Sequence, residues 1–215
     1  MKCYCGEKKT TPLFQSGLYD IVRCVDCDQV RIESARGGKK IGYYEEEDVQ
    51  FYIDHEDMFR LLFRRLLGFV HRFAPSGTML DIGAGLGLLL DEARKMGYHI
   101  IGFDPSKASV WAAKKYIGIR LINAEFRVTE DVDIIVINHV LEHLANPHQI
   151  INLCAKSLRN AGTLVIGTPI FNSFMSWIKR GKWQSLIPKQ HRWQFTLKTL
   201  DQLVTPHGFR RIAVS

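Results

Sequence analysis

Three groups of residues in this 215-residue chain carry chemistry by their types and spacing. The first sets two carboxylates around a glycine turn: Asp81, then Gly83, Ala84, Gly85 and Gly87, with Asp104 further on. Glycines let a backbone turn tightly and approach a ligand closely. The N–H groups at the start of a following helix attract anionic or polar ligand groups. A carboxylate at the end of the next strand can accept two hydrogen bonds from a ribose diol, as in the dinucleotide folds. Leu88 stands where the third glycine of the dinucleotide fingerprint would fall. The turn therefore points to an adenosine cofactor other than NAD.

The second group is Cys3-x-Cys5 and Cys24-x-x-Cys27. In a reducing compartment two close pairs joined by a short spacer suit a tetrahedral zinc held by four thiolates, and four thiolates leave no open position for chemistry. The zinc would be structural, and Gly6 suits the tight knuckle after the first pair. Two unrelated free pairs or a redox pair are the alternatives. The third group is histidine: His139 and His143 flank Glu142, and His191 lies in a later segment. Histidine titrates near neutral pH and serves as a general base. His191 and then His139 are the catalytic candidates, each equally readable as a hydrogen-bonded structural residue.

The elements that must position these groups follow from periodicity. Apolar Met79, Leu80 and Ile82 make residues 78–82 a buried strand, and residues 88–96 read as the helix after the turn. A strand over 99–103 brings Asp104 to its end, a helix follows over 106–116, and a third strand over 119–122 ends in Asn123, Ala124 and Glu125. The fourth strand, 133–137, leads into Asn138 and His139. A helix over 147–158 then closes at Asn160, Ala161 and Gly162, with a fifth strand over 163–167 and a helix over 197–204. Alternating strands and helices define an α/β fold, a doubly wound and mostly parallel sheet of Rossmann-like type. Ligands of such sheets collect at the carboxyl ends of strands, which places Asn138 and His139 beside the cofactor. Ahead of the sheet, Phe59, Leu62, Phe63, Leu66, Leu67 and Val70 mark residues 56–73 as a helix with these side chains in the core. The expected domains are a zinc-ribbon-like module over 1–33, a linker or lid over 34–55, and the α/β domain over 56–215.

Composition sets the outer bounds. With 46% hydrophobic and 24% charged residues the chain is an ordinary globular protein. It has neither an apolar run of the roughly 18–20 residues that span a bilayer nor an N-terminal hydrophobic signal core, so a cytoplasmic location is expected. The net charge of +7 is uneven. No acid occurs between Glu142 and Asp201, where Lys156, Arg159, Lys179, Arg180, Lys182, Lys189, Arg192 and Lys198 all fall. This basic third suits an anionic partner, or is a solvated face. Between 171 and 193 its cations interleave with Trp177, Trp183 and Trp193, which suits a lid over an anionic acceptor, a membrane or nucleic-acid contact, or local packing. The acidic run Glu45, Glu46, Glu47 and Asp48 reads as solvated, and Tyr43 and Tyr44 before it are candidates for a cofactor lid.

Leu80-Asp81-Ile82-Gly83-Ala84-Gly85-x-Gly87, with Gly102-Phe103-Asp104-Pro105-Ser106, resembles motif I and the acidic loop of class I S-adenosylmethionine-dependent methyltransferases. By that resemblance the glycine turn holds the methionine end of the cofactor, Asp104 with Pro105 beside it holds the ribose, and Asp81 helps bind the amino-acid portion. Asn123, Ala124 and Glu125 are shared candidates for the adenine contact. The stretch from Asn138 through Leu141-Glu142-His143 to Asn146-Pro147 resembles a motif of ubiquinone-pathway O-methyltransferases, and Pro188-x-x-His191, Phe195 and Gly208-Phe209 match the family's late pattern. Some relatives carry Glu-x-x-Glu-His and bind a divalent metal; here His139 replaces the first carboxylate, so no metal is expected there. The cysteine head resembles those on some saccharide and natural-product methyltransferases. Class I domains usually finish with two antiparallel strands, and residues 210–215 supply only the first.

The reading that results is methyl transfer from S-adenosylmethionine to a hydroxyl or amine of a small-molecule or saccharide acceptor, with structural zinc as a second cofactor. An RNA acceptor, a non-catalytic S-adenosylmethionine-binding protein, and more distantly a nicotinamide oxidoreductase are the alternatives.

Overall fold

A computed structural model describes residues 3–35, 46–128, 131–172, 178 and 183–215. Tyr43, Tyr44, Glu45, Trp177, Lys179, Arg180 and Lys182, assigned above to a lid, an acidic run or the basic third, lie outside the described residues, as do the side chains of Glu46, Glu47 and Asp48. The chain divides into two compact units, one of Met1–Tyr43, His139–Asn152 and Thr168–Val214, the other of Tyr44–Asn138 and Leu153–Gly167 with Ser215.

The second unit holds the parallel sheet. Strands β4 (Thr78–Ile82), β5 (His99–Phe103), β6 (Val132–Asn138) and β7 (Leu158–Gly167) run in the order β5-β4-β6-β7. Every neighbouring pair is parallel, and Asp81 lies level with Gly102 and Val136. Helix α2 (Glu56–His71) and helix α3 (Leu88–Lys95) are amphipathic, with α2 ending two residues before the expected 73. Leu67, Val70, Met79, Leu89, Ile134 and Val136 form the core, with Phe63 and Leu66 packed against it. Leu62 departs from expectation and is 48% exposed, because it lies on the side of α2 away from this cluster.

Two further expectations are corrected in this unit. The third strand shrinks to a single bridge between Phe103 and Ile122. Helix α4 (Lys107–Ala112) runs on into a π-helical turn over Ala113–Ile117, and the Ile119 N–H donates to Ala113 O to close it, which leaves little chain to pair. The turn expected at residues 160–162 lies inside β7, where the register jumps and Ala161 takes φ +65°. The stretch read as linker also contains helix α1 (Glu46–Asp54), whose Val49, Tyr52 and Ile53 pack on Leu86 and Leu88 of the glycine turn and α3.

The first unit is built on an antiparallel sheet of β1 (Thr10–Ser16), β2 (Tyr19–Cys24), β3 (Val30–Ala35) and β8 (Trp193–Gln194), in that order. Ile21, Val30, Ile32 and Leu186 form its core, with Leu13, Phe14, Phe171 and Trp183 against them. Leu18 sits exposed beside Gly17 in the β1–β2 turn. Helix α5 (Pro147–Ser157) has its first six residues in this unit and the rest in the other, and helix α6 (Leu197–Val204) opens on a capping box of Thr196 and Thr199. Residues 210–214 are not a strand: Arg211 is held bidentately by Asp201 at 2.9 and 2.8 Å, and none of these residues joins a ladder. No helix among the described residues is long and apolar enough to cross a membrane.

Candidate functional site

At the carboxyl end of the parallel sheet, the turn between β4 and α3 is tied to the end of β5. Gly83, Gly85 and Gly87 take φ of +75°, +55° and +72°, a left-handed region open to glycine and costly for other residues. The Gly83 and Ala84 N–H groups both donate to Phe103 O, at 2.8 and 3.0 Å, and the Gly87 N–H donates to Ala84 O at 2.8 Å. The Gly85 N–H donates to Asp104 Oδ2 at 2.8 Å, and the Ser106 N–H donates to Asp104 Oδ1 at the same distance. These turn amides are thus engaged inside the protein, and the helix-start amides expected to face a ligand are those of Leu88 onward.

Asp81 and Asp104 are both buried. Among the described residues no hydrogen bond reaches the Asp81 carboxylate. Burial, with the charge of Asp104, pushes it up to about 8. Burial also raises Asp104, opposed by the N–H donors of Ser106 and Gly85. A buried carboxylate that lacks a partner is stabilised by a cation, and a ligand ammonium group fills that role. A side chain at Gly85 would meet nothing within 4 Å, so the turn borders open space. The residues fit a ligand that carries an ammonium group and a hydroxylated ring.

The neighbouring candidates fall into place unevenly. Asn123 Nδ2 donates to the carbonyls of Asp104 and Pro105, both at 3.1 Å, and so braces the acidic loop. Ala124 donates its N–H to Ile122 O, and Glu125 is exposed. Asn138 ends β6 opposite Gly167, where a Cβ would run into its Oδ1.

The histidine group belongs to the other unit. His139 follows Asn138 in the left-handed region at φ +55°, unusual for a non-glycine residue and a mark of strained sites. Its Nδ1 lies 3.2 Å from Oε1 of the buried Glu142, while its side chain is 53% exposed. Glu142 Oε2 accepts from Thr168 Oγ1 at 3.0 Å, and its backbone carbonyl accepts from the Arg192 N–H at 2.7 Å. Burial would raise this carboxyl, but the His139 hydrogen bond and charge outweigh it and the net shift is downward.

His191 is buried, with Nδ1 2.9 Å from Ser185 O and its ring edge-on to His143 at 4.8 Å. Burial pushes it down to about 4, against the pull of Glu142. Glu142, His143 and His191 bring their ligand atoms within 4.8 Å of one another. Sequence reasoning did not foresee the His139–Glu142 pair or the support of Thr168; the i, i+3 spacing of the first two was the available signal.

Trp193 and Trp183 are packing residues. Trp193 is buried and donates Nε1–H to Leu144 O at 2.7 Å, and Trp183 packs edge-on against Phe171. The basic third is partly neutralised, Arg159 by Asp133 at 2.9 Å and Lys198 by Asp28 at 2.5 Å.

The four cysteines converge as their spacing suggests. All four Sγ atoms lie within 4.8 Å of one another, with Cys3 to Cys27 and Cys5 to Cys24 both 3.6 Å. Zinc–thiolate bonds of about 2.3 Å set tetrahedral sulfur pairs about 3.8 Å apart, so the donor set fits zinc. Each pair has its left-handed residue, Gly6 at φ +94° and Asp28 at φ +61°.

Residues 55–214 match the family described as methyltransferase domain, well over half of the chain. The chain belongs to that family, in the class I group of methyltransferases that its glycine turn resembles. Among curated proteins it is 30% identical over 161 residues to the ubiquinone biosynthesis O-methyltransferase of Rhodopseudomonas palustris strain HaA2, covering 62% of this chain and 58% of that one. It is 29% identical over 153 residues to the protein of the same name from Nitrobacter winogradskyi, covering 62% of this chain and 53% of that one. The chain thus spans little more than half the length of these curated relatives. Two solved structures share the fold: an S-adenosylmethionine-dependent methyltransferase of Thermotoga maritima at TM-score 0.63 and 20% identity, covering 77% of this chain and 79% of that one, and one of Archaeoglobus fulgidus at TM-score 0.60 and 22% identity, covering 74% of each.

Proposed function

We propose that the chain transfers a methyl group from S-adenosylmethionine to an oxygen or nitrogen atom of a small-molecule or saccharide acceptor, and that Cys3, Cys5, Cys24 and Cys27 hold one structural zinc. The observation that carries the first reading is the buried Asp81, without a hydrogen-bond partner among the described residues, beside a glycine turn that is itself tied to Asp104. When bound, S-adenosylmethionine supplies an electrophilic methyl group on a positively charged sulfur. Asp81 would take the ammonium of its amino-acid portion, the glycine turn its methionine end, Asp104 its ribose hydroxyls and Asn123 the edge of its adenine. The names of the ubiquinone biosynthesis relatives support an O-methyl product.

A hydroxyl, or an amine that binds protonated, must give up one proton for its lone pair to take the methyl group. Two histidines were candidates for that proton. A base works best with a pKa near the working pH, and burial holds His191 far below it, its Nδ1–H committed to Ser185 O. His139 is exposed, and Glu142 holds its Nδ1–H, which leaves Nε2 to accept the proton. We assign His139 as general base, Glu142 as its positioning carboxylate and His191 as a neutral structural ring.

Calorimetric titration with S-adenosylmethionine, and with NAD as a control, tests the cofactor. Micromolar binding of the first alone supports the reading; binding of NAD alone, or of neither, overturns it.

A further inference from the structure

The outer face of α2 is apolar where solvent would favour polar residues. Met58, Leu61 and Leu62 are 46%, 49% and 48% exposed. They lie on one side of a helix whose opposite side, through Leu67 and Val70, is already packed in the core. Gly68 is on the same outer side, and a Cβ there would meet nothing within 4 Å. A mid-helix glycine costs about 1 kcal/mol relative to alanine, and one use for it is close approach of another backbone.

The charges around Leu61 are paired in an unusual way. Arg60 and Arg64 are engaged with Glu56, Asp91 and Glu92. Asp57 and Arg65 have no ion-pair partner among the described residues. They stand four residues before and four after Leu61 on the same face, each about 6 Å along the axis. A two-fold axis through Leu61 therefore sets Asp57 of one copy against Arg65 of the other, and the reverse, in an isologous contact. Met58 and Leu62 flank the Leu61–Leu61 contact.

We infer that this face is a self-association surface, on which a second copy of the chain docks α2 against α2 in antiparallel orientation. One helix face of this size supports a dimer with a dissociation constant in the micromolar range rather than an obligate one. An anionic lipid surface fits less well, because it would repel Asp57 and Glu56 at the same end of the face.

Sedimentation velocity over about 1–200 µM tests it. The chain should pass from monomer to dimer. Asp57→Arg and Arg65→Asp should each weaken association roughly tenfold, and the double variant D57R/R65D should restore it, since the reversed pairs again match. Leu61→Glu, which apposes two like charges on the axis, should leave a monomer. Unchanged circular dichroism and Tm in each variant show that folding is intact. A chain that stays monomeric throughout overturns the inference. So does a dimer indifferent to these changes, a double variant weaker than either single one, or a monomer that instead floats with anionic phosphatidylglycerol vesicles.

Discussion

The Gly85 N–H donates to Asp104 Oδ2 across 2.8 Å, so the glycine turn after β4 and the acid after β5 are one unit rather than two adjacent motifs. The link explains why both are needed together. The turn adopts a left-handed residue at Gly85, and the acid supplies the acceptor that holds it there.

Removal of that acceptor should therefore do two things. Asp104→Ala loses the carboxylate proposed for the ribose and also releases the turn. The expected result is a loss of S-adenosylmethionine affinity of about 100-fold or more, greater than one lost charge-assisted hydrogen bond pair. Asp104→Asn keeps an acceptor for Gly85 and should lose less. Equal losses in the two variants, measured by calorimetry, would separate the turn from the acid.

Asp81 gives a prediction in pH. Its folded-state pKa, about 8, stands above the ordinary carboxylate value of 3.8. Between those two values the folded chain binds the extra proton, so stability from this group falls as pH rises and is fully lost above about 8. Asp81→Asn removes the penalty, and its Tm at pH 8.5 should exceed that of the wild type by about 10 °C or more while the two converge near pH 4. The same variant should fail to bind S-adenosylmethionine. In the wild type, binding of an ammonium at pH 7 should release up to one proton, readable as a buffer-dependent calorimetric enthalpy, and affinity should rise from pH 6 to 8.

The proposed base separates from its alternative by kinetics. His139→Ala should lower kcat by about 10²–10⁴-fold at unchanged cofactor affinity. Glu142→Gln, which keeps the hydrogen bond but not the charge, should lower kcat less. His191→Phe should keep most of the turnover if the variant folds. Full activity of the His139 variant, with the His191 variant folded yet inactive, would reverse the assignment.

Zinc is tested without any reaction. The purified chain should carry one zinc per molecule by elemental analysis. A strong chelator should lower its Tm and expose four titratable thiols, and Cys24→Ser should do the same. Substoichiometric metal with an unchanged Tm would leave the cysteines as free pairs.

Much of this was legible in residue order. The strands at Asp81 and Asp104 alternate with helices at short range, and their apolar runs are too regular to mistake. The cysteine cluster followed from spacing. What was not legible depended on neighbours distant in the chain. Ile119 to Ile122 look like a strand, yet the π-helical turn takes up the Ile119 N–H. Leu62 keeps helical spacing with core residues but faces outward, because a single apolar stripe does not say how wide the buried face is. Helix α1 does have a signal in the sequence, since Val49, Tyr52 and Ile53 sit at helical intervals behind the acidic run. Trp193, read among lid candidates, is fixed by a carbonyl at Leu144.

The pairing of β3 with β8 reaches beyond static architecture. Val30 pairs with Gln194 and Arg31 with Trp193, and Gln29 Nε2 donates to Gln194 O across 165 residues of chain. On a ribosome that adds roughly 5–20 residues per second, the first three strands emerge about ten to thirty seconds before the fourth. During that interval β3 has an open edge, the arrangement most prone to pairing with a wrong strand. A metal-clasped hairpin would guard the nascent chain through that wait. Scarcity of the metal would then show first as aggregation of newly made protein, well before any loss of activity in molecules already folded.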